Sequence, residues 1–247
     1  MTEVVIPTPG SDLRGYLAAP EGSAPRPGVV VVFDIGGMSQ DARNQADWLA
    51  GEGYLALLPD IFRGRSPIRS LPPMTRGFRA RTGPMFDDLD ASRVWLAGRA
   101  DCTGRVGVIG FCMGGGFAML LSAGHGFAAS SINYGGRPPA DALRLFRGAC
   151  PIVASYGARD WTQRGAAARL DHVLTVLGID HDVKEYPGAG HAFLNDHRGA
   201  GDPVPWYFKP LAGLPGMSYQ PTAAADARRR IIAFFDRNLR GVPASAG

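Results

Sequence analysis

From Gly28 to Phe33 the chain reads Gly-Val-Val-Val-Val-Phe, an apolar, β-branched run with no polar break. A strand with one wet face alternates in polarity, so an unbroken run marks a strand covered on both faces. Tyr54–Leu58, Arg105–Ile109, Ala128–Tyr134, Pro151–Tyr156 and Asp182–Tyr186 are expected as further strands. Helical spacing falls between them. Ala42–Ala50 carries Ala46, Leu49 and Ala50 on one side, with Ser39 or Asp41 as cap and Gly51 or Gly53 as stop. Asp87–Ala97 places Leu89, Val94 and Leu96 among its apolar positions. Thr162–Leu177 repeats Ala166, Leu170, Val173, Leu174 and Leu177. Phe117–Ser122, the short Ala140–Phe146 and an amphipathic Ala223–Leu239 complete the helices. Val4–Ile6 and Leu13–Ala18, around Pro9-Gly10-Ser11-Asp12, predict a hairpin at a sheet edge.

Strands alternating with helices predict an α/β fold, a mostly parallel sheet with helices on both faces. No repeat or linker interrupts it, so residues 1–247 are expected to form one domain. Two stretches break the pattern. Residues 59–83 are dominated by Arg, Pro and Gly, lack periodicity and are expected to be a long connection near the site. Residues 198–221 are Gly- and Pro-rich yet hold Trp206, Tyr207, Phe208, Leu211, Leu214, Met217 and Tyr219. So many aromatics are expected to pack on something: the domain body, a second subunit, or the mouth of a site as a lid.

The composition narrows the function. At 247 residues and 45% hydrophobic, the chain can bury a full core without staples. Its three cysteines are scattered with no C-x-x-C, which suggests neither a disulfide framework nor a zinc site and fits a reducing compartment. No signal peptide and no bilayer-length apolar run is seen, so a cytoplasmic protein with no membrane partner is expected. The net charge of +4 is small, and no basic run alternates with stacking aromatics, so nucleic acid is not expected as a partner. One basic excess, Arg63, Arg65, Arg69, Arg76, Arg79 and Arg81, reads either as a solvated face or as help in holding an anionic substrate.

The chemistry centres on Gly110-Phe-Cys-Met-Gly114. This G-x-C-x-G sits between a buried strand and a helix, the frame in which α/β-hydrolases hold a nucleophilic Ser. A sharp strand-to-helix reversal lifts the central side chain into a cleft beside a helix N-terminus, which favours a thiolate. The bland alternative, a small buried hydrophobe, does not explain the flanking glycines. A thiol of this kind needs a base, and the base an orienting acid. In open α/β sheets such groups lie in loops after strand ends. Asp160 follows the strand ending at Tyr156 and could equally cap the next helix. His191 follows the strand ending at Tyr186 in Pro-Gly-Ala-Gly-His. The other histidines, His125, His172, His181 and His197, read as surface or packing residues. Cys112, Asp160 and His191 also fall in the hydrolase order of nucleophile, acid and histidine.

With these segments in view, the chain from about Val29 to Leu239 resembles the dienelactone hydrolase family. The marks are Val-Val-Val-Phe-Asp-Ile-Gly-Gly, Glu52-Gly-Tyr-Leu-Ala-Leu-Leu-Pro-Asp60, Gly110-Phe-Cys-Met-Gly-Gly115 and Tyr186-Pro-Gly-Ala-Gly-His-Ala-Phe193. The resemblance implies Cys112 as nucleophile, His191 as base, Asp160 as its orienter, and the Ile35 and Met113 N–H groups as the oxyanion hole. The family commonly has a Glu after the first core strand that handles the thiol proton. Asp34 stands there, shorter by roughly 1.5 Å, either as a substitute or as a plain loop residue. Phe111, Trp161, Phe193 and Trp206 are candidate substrate contacts. Members acting on dienelactone are expected to have an Arg shortly after the catalytic His. Here none occurs before Arg198, which leaves dienelactone itself open as the substrate.

The expected activity is therefore cleavage of a small-molecule ester or lactone through an acyl-cysteine, with no cofactor or metal, in a monomer or homodimer. Two rivals remain: a thioesterase or acyl-transfer enzyme of the same fold, suggested by the aromatics of 206–219, and a redox-sensing thiol protein without hydrolysis.

Overall fold

The computed structural model describes residues 2–8, 10–202 and 218–240. Eight strands form one sheet in the order β1-β2-β4-β3-β5-β6-β7-β8. They are β1 (Thr2–Ile6), β2 (Leu13–Ala18), β3 (Arg26–Val32), β4 (Leu55–Pro59), β5 (Cys102–Phe111), β6 (Ser130–Asn133), β7 (Ile152–Gly157) and β8 (His181–Tyr186). β1 and β2 form the antiparallel edge, and β2 runs antiparallel to β4. Every pair from β4 to β8 is parallel. Val29 to Val32 and Leu55 to Leu58 are fully buried, as two-sided coverage requires.

The helices are α1 (Gln40–Gly51), α2 (Pro67–Ala80), α3 (Pro84–Ala97), α4 (Met113–Leu121), α5 (Ala142–Leu145), α6 (Ala166–Leu177) and α7 (Pro221–Phe235), the last extended by a π-turn over Asp236–Arg240. The Ser39 hydroxyl caps α1 by accepting the Ala42 N–H at 3.1 Å. Among the described residues no helix is long and apolar enough to cross a membrane.

Two elements differ from the sequence reading. The expected loop over 59–83 contains α2. Pro67 starts it, where a missing N–H costs nothing, and Arg81 ends it in the left-handed region at φ 57°. Leu71, Met74 and Phe78 do recur at helical spacing, but Pro72, Pro73 and Arg76 between them mask the pattern. Phe78 anchors the helix, its ring centroid 4.5 Å from that of Phe117 on α4. The second difference is at the predicted helix Thr162–Leu177. It is a 3₁₀ turn, Trp161–Gln163, followed by α6, because Gly165 takes φ 76° between them. Of the aromatic stretch 198–221, positions 203–217 lie outside the described residues.

Candidate active site

Between the last residue of β5 and the first of α4 there is only Cys112. It makes the whole reversal at φ 54°, ψ −114°, a conformation that costs a non-glycine residue free energy. Small neighbours are a steric necessity. A Cβ on Gly110 would fall on the Gly114 carbonyl, and one on Gly115 would lie 2.6 Å from the Asn133 oxygen. A Cβ on Gly114 would meet the carbonyls of Val32 and Phe33, the latter at 2.6 Å. Since these obstacles are backbone, they cannot rotate away. Gly114→Ala is therefore expected to destabilise the fold by more than about 3 kcal/mol, beyond the range of most point substitutions. Chemical denaturation would measure it, and a loss under about 1 kcal/mol would show that the elbow can relax.

The thiol lies at the carboxyl end of the parallel strands, where loops converge. His191, in the loop after β8, places Nε2 3.0 Å from Cys112 Sγ. Its Nδ1 is 2.7 Å from Asp160 Oδ2, in the loop after β7. The second Asp160 oxygen accepts the Thr162 backbone N–H at 3.0 Å and the Thr162 hydroxyl at 2.5 Å. Asp160 thus caps the 3₁₀ turn with one oxygen and faces the imidazole with the other. Burial alone would raise its pKa, but the bonds from His191 and Thr162 outweigh it and hold the carboxyl low. Burial likewise pulls His191 down, yet the bonds to Asp160 and Cys112 push it up to about 10. The arrangement can move a proton between sulfur and imidazole while a carboxylate steadies the cation.

Two further residues frame this trio. Gln163 donates to the Tyr134 carbonyl at 2.7 Å and accepts the Gly136 N–H at 3.1 Å. Its amide nitrogen lies 3.2 Å from His191 Nδ1, against the ring edge that Asp160 holds. The Tyr134 ring sits 5.3 Å from that imidazole, and its hydroxyl donates to Asn195 at 2.5 Å. Cys112, Tyr134 and Ala192, all at the site, are three of the five non-glycine residues with positive φ among the described residues. Strain of this kind gathers where surrounding structure over-determines a functional geometry. Neither Gln163 nor Tyr134 carries a motif. Only their position just after strands β7 and β6 could have drawn attention to them.

A cavity of about 730 Å³ opens on the thiol. Its apolar wall is Met74, Phe78, Met119 and Leu120, and Arg79, Arg81 and Arg137 also line it. Arg81 is held by Asp141 through two bonds of 2.9 and 2.5 Å. Arg63, from the same basic stretch, pairs with Asp88 away from the cavity. Ile35 and Met113 both line the cavity, and among the described residues no protein acceptor takes either backbone N–H. Three expected substrate contacts are not brought there. Phe111 and Phe193 are core side chains at 1% and 0% exposure, because strand alternation and a turn aim them inward. Phe193 packs between Tyr134 and Tyr186. Trp161 is 72% exposed and does not line the cavity. Trp206 falls outside the described residues.

Asp34, expected either as a substitute for the family Glu or as a plain loop residue, bonds to its own turn and to His197. Its Oδ1 accepts the Gly36 N–H at 2.7 Å and its Oδ2 is 2.7 Å from His197 Nε2. Cys112 is not among its partners. The one-carbon-shorter side chain is held between its own turn and His197. His197, expected at the surface or in packing, is instead its ion-pair partner.

Residues 13–239 match the sequence profile of the dienelactone hydrolase family. A carboxymethylenebutenolidase from Rhodococcus opacus is 28% identical, over 94% of this chain and 89% of that protein. Among solved structures, a dienelactone hydrolase-like promiscuous phosphotriesterase from metagenomic libraries superposes with a TM-score of 0.78. It is 24% identical and covers 96% of this chain and 98% of its own. A Pyrococcus horikoshii acylaminoacyl peptidase shares the fold at a TM-score of 0.70 and 16% identity, over all of this chain and 43% of that one.

Proposed function

The chain belongs to the dienelactone hydrolase family, and we propose that it hydrolyses a small carboxylic ester or lactone through an acyl-cysteine intermediate. One observation carries this reading: His191 bridges Cys112 Sγ and Asp160 Oδ2 at 3.0 and 2.7 Å. The imidazole takes the thiol proton, and the sulfur attacks the substrate carbonyl carbon. The carbonyl oxygen becomes an oxyanion, met by the Ile35 and Met113 N–H groups. Collapse of the tetrahedral species breaks the C–O bond, and the His191 imidazolium gives its proton to the departing oxygen. In a lactone that hydroxyl stays tethered to the acyl chain. Water then attacks the thioester, with His191 taking its proton. Collapse expels the Cys112 sulfur and leaves a carboxylic acid, which gives its proton to solvent as it departs, while Cys112 and His191 share the proton taken from water. The apolar cavity wall suits the hydrocarbon part of an ester, while Arg79 and Arg137 at its edge suit a substrate with a negative group.

The test is a panel of p-nitrophenyl esters of rising chain length, a small lactone and an acyl thioester, with rapid quenching and mass analysis of the protein. The expected result is turnover with a transient acyl mass on the Cys112 peptide. Steady turnover with no such adduct, at any quench time, would overturn the covalent mechanism. Preference for long acyl thioesters over the small esters would move the assignment to a thioesterase.

A further inference from the structure

The turn that presents Ile35 is tied down from outside. Within the turn, Asp34 accepts the Gly36 N–H through Oδ1 and the Gly37 N–H through its carbonyl, at 2.7 and 3.1 Å. Its Oδ2 meets His197 Nε2 at 2.7 Å. His197 Nδ1 in turn meets Asp202 Oδ2 at 3.0 Å. The Asp202 carboxylate also accepts the N–H groups of Gln40 and Asp41, the first residues of α1, at 2.7 and 3.0 Å. One imidazole therefore joins three pieces of chain: the turn after β3, the start of α1 and the segment that follows His191.

Each ring nitrogen faces a carboxylate, and a neutral imidazole has only one N–H to give. The doubly bonded form is the cation. Burial works against that charge, but Asp34 most strongly, then Asp202, and Asp41 across from α1, favour it and raise the His197 pKa to about 10. Of these, Asp34 and Asp202 are in direct contact with the ring. The Ile35 N–H belongs to the peptide plane that begins at Asp34, so turning Asp34 re-aims that N–H.

We propose that His197 is a positioning residue for the oxyanion hole: by bridging Asp34 and Asp202 it fixes the 34–37 turn and so the direction of the Ile35 N–H. The inference rests on the Cys112 hydrolase reading. It assigns His197 no contact with substrate. Nothing in its local sequence marks it, since its partner Asp34 is 163 residues away.

The experiment compares two reactions of the same thiol. Acylation by p-nitrophenyl acetate builds an oxyanion. Alkylation by iodoacetamide displaces iodide at a saturated carbon and builds none, so it needs the triad but not the hole. Both are followed at the Cys112 peptide by mass spectrometry. His197→Gln keeps volume and one donor but cannot bridge both carboxylates. It is expected to slow acylation about 10–100-fold, within the cost of misplacing or losing an oxyanion donor, with alkylation within about twofold of wild type. Asp202→Asn, a milder cut of the same bridge, provides a second variant and is expected to slow acylation alone, by less. Equal acylation in the variants would overturn the proposal, and so would parallel loss of both reactions, which marks a merely structural cross-link. If the wild type shows no Cys112-dependent turnover, the hydrolase reading fails and takes this proposal with it. Unchanged acylation in an active enzyme overturns the positioning role alone.

A stability readout accompanies it. The folded pKa of His197 is raised from 6.5 to about 10. Its stabilisation is therefore complete below pH 6.5 and is lost as pH rises through about 10. The fall in melting temperature between those pH values is expected to be shallower in His197→Gln than in wild type. His191 titrates upward in the same window in both proteins and cancels in the comparison.

Discussion

Cys112→Ala is expected to lower kcat for any ester the wild type turns over by about 10⁴–10⁶-fold, the scale seen when a covalent nucleophile is removed from a triad. The substitution removes the sulfur that lies 3.0 Å from His191 Nε2 on the cavity side. Alanine tolerates the elbow no worse than cysteine does, since both carry one Cβ at φ 54°. The fold is therefore expected to survive, with circular dichroism unchanged. What remains should still exceed the uncatalysed rate by about 10³–10⁴-fold, because on the proposed mechanism the Ile35 and Met113 N–H groups and the cavity still bind a transition state formed by water. Loss of the sulfur also removes one of the contacts that raise His191. The measurement is initial rate against enzyme concentration for both proteins, with the acyl adduct scored alongside. A mutant that keeps more than about a hundredth of wild-type kcat would assign the chemistry to another group.

How much of this site could be read from residues alone depended on whether the signal was local. The buried strands are legible because β-branched runs such as Val29–Val32 are a property of contiguous sequence. Cys112 is legible for the same reason, its glycines being forced by backbone contacts within a few residues and with Val32. Asp160 and His191 are legible because the sheet delivers strand ends to one edge, so a polar residue just past a strand is already near the others. Side-chain direction is another matter. Phe193, two residues from His191, is buried at 0% exposure, and Trp161, adjacent to Asp160, faces solvent. Nearness in sequence to Asp160 or His191 therefore does not predict nearness to the cavity. α2 was obscured by its own composition, two internal prolines and several arginines, although Phe78 supplies part of the cavity wall. The Asp34–His197–Asp202 bridge had no local trace at all. It is made by side chains whose backbones the fold brings together.

Asp160→Asn is expected to lower kcat at neutral pH by about 10³–10⁴-fold while leaving the fold intact, and the reason lies in Thr162. The Thr162 backbone N–H donates to Asp160 Oδ1 at 3.0 Å and cannot reverse its role. An asparagine at this position must therefore put its carbonyl oxygen toward Thr162 and its NH₂ toward His191. Facing an NH₂ group, His191 Nδ1 has to accept, so the ring proton moves to Nε2 and points at Cys112 Sγ. That tautomer cannot take the thiol proton. The cap itself is kept, because Asn serves as well as Asp in that position, so stability is expected to change by about 1 kcal/mol or less. A wrong tautomer in a preserved geometry costs about 10⁴-fold in a serine protease triad, which sets the scale. A variant that keeps more than about a tenth of wild-type kcat at pH 7 would mean that Asp160 only caps the turn.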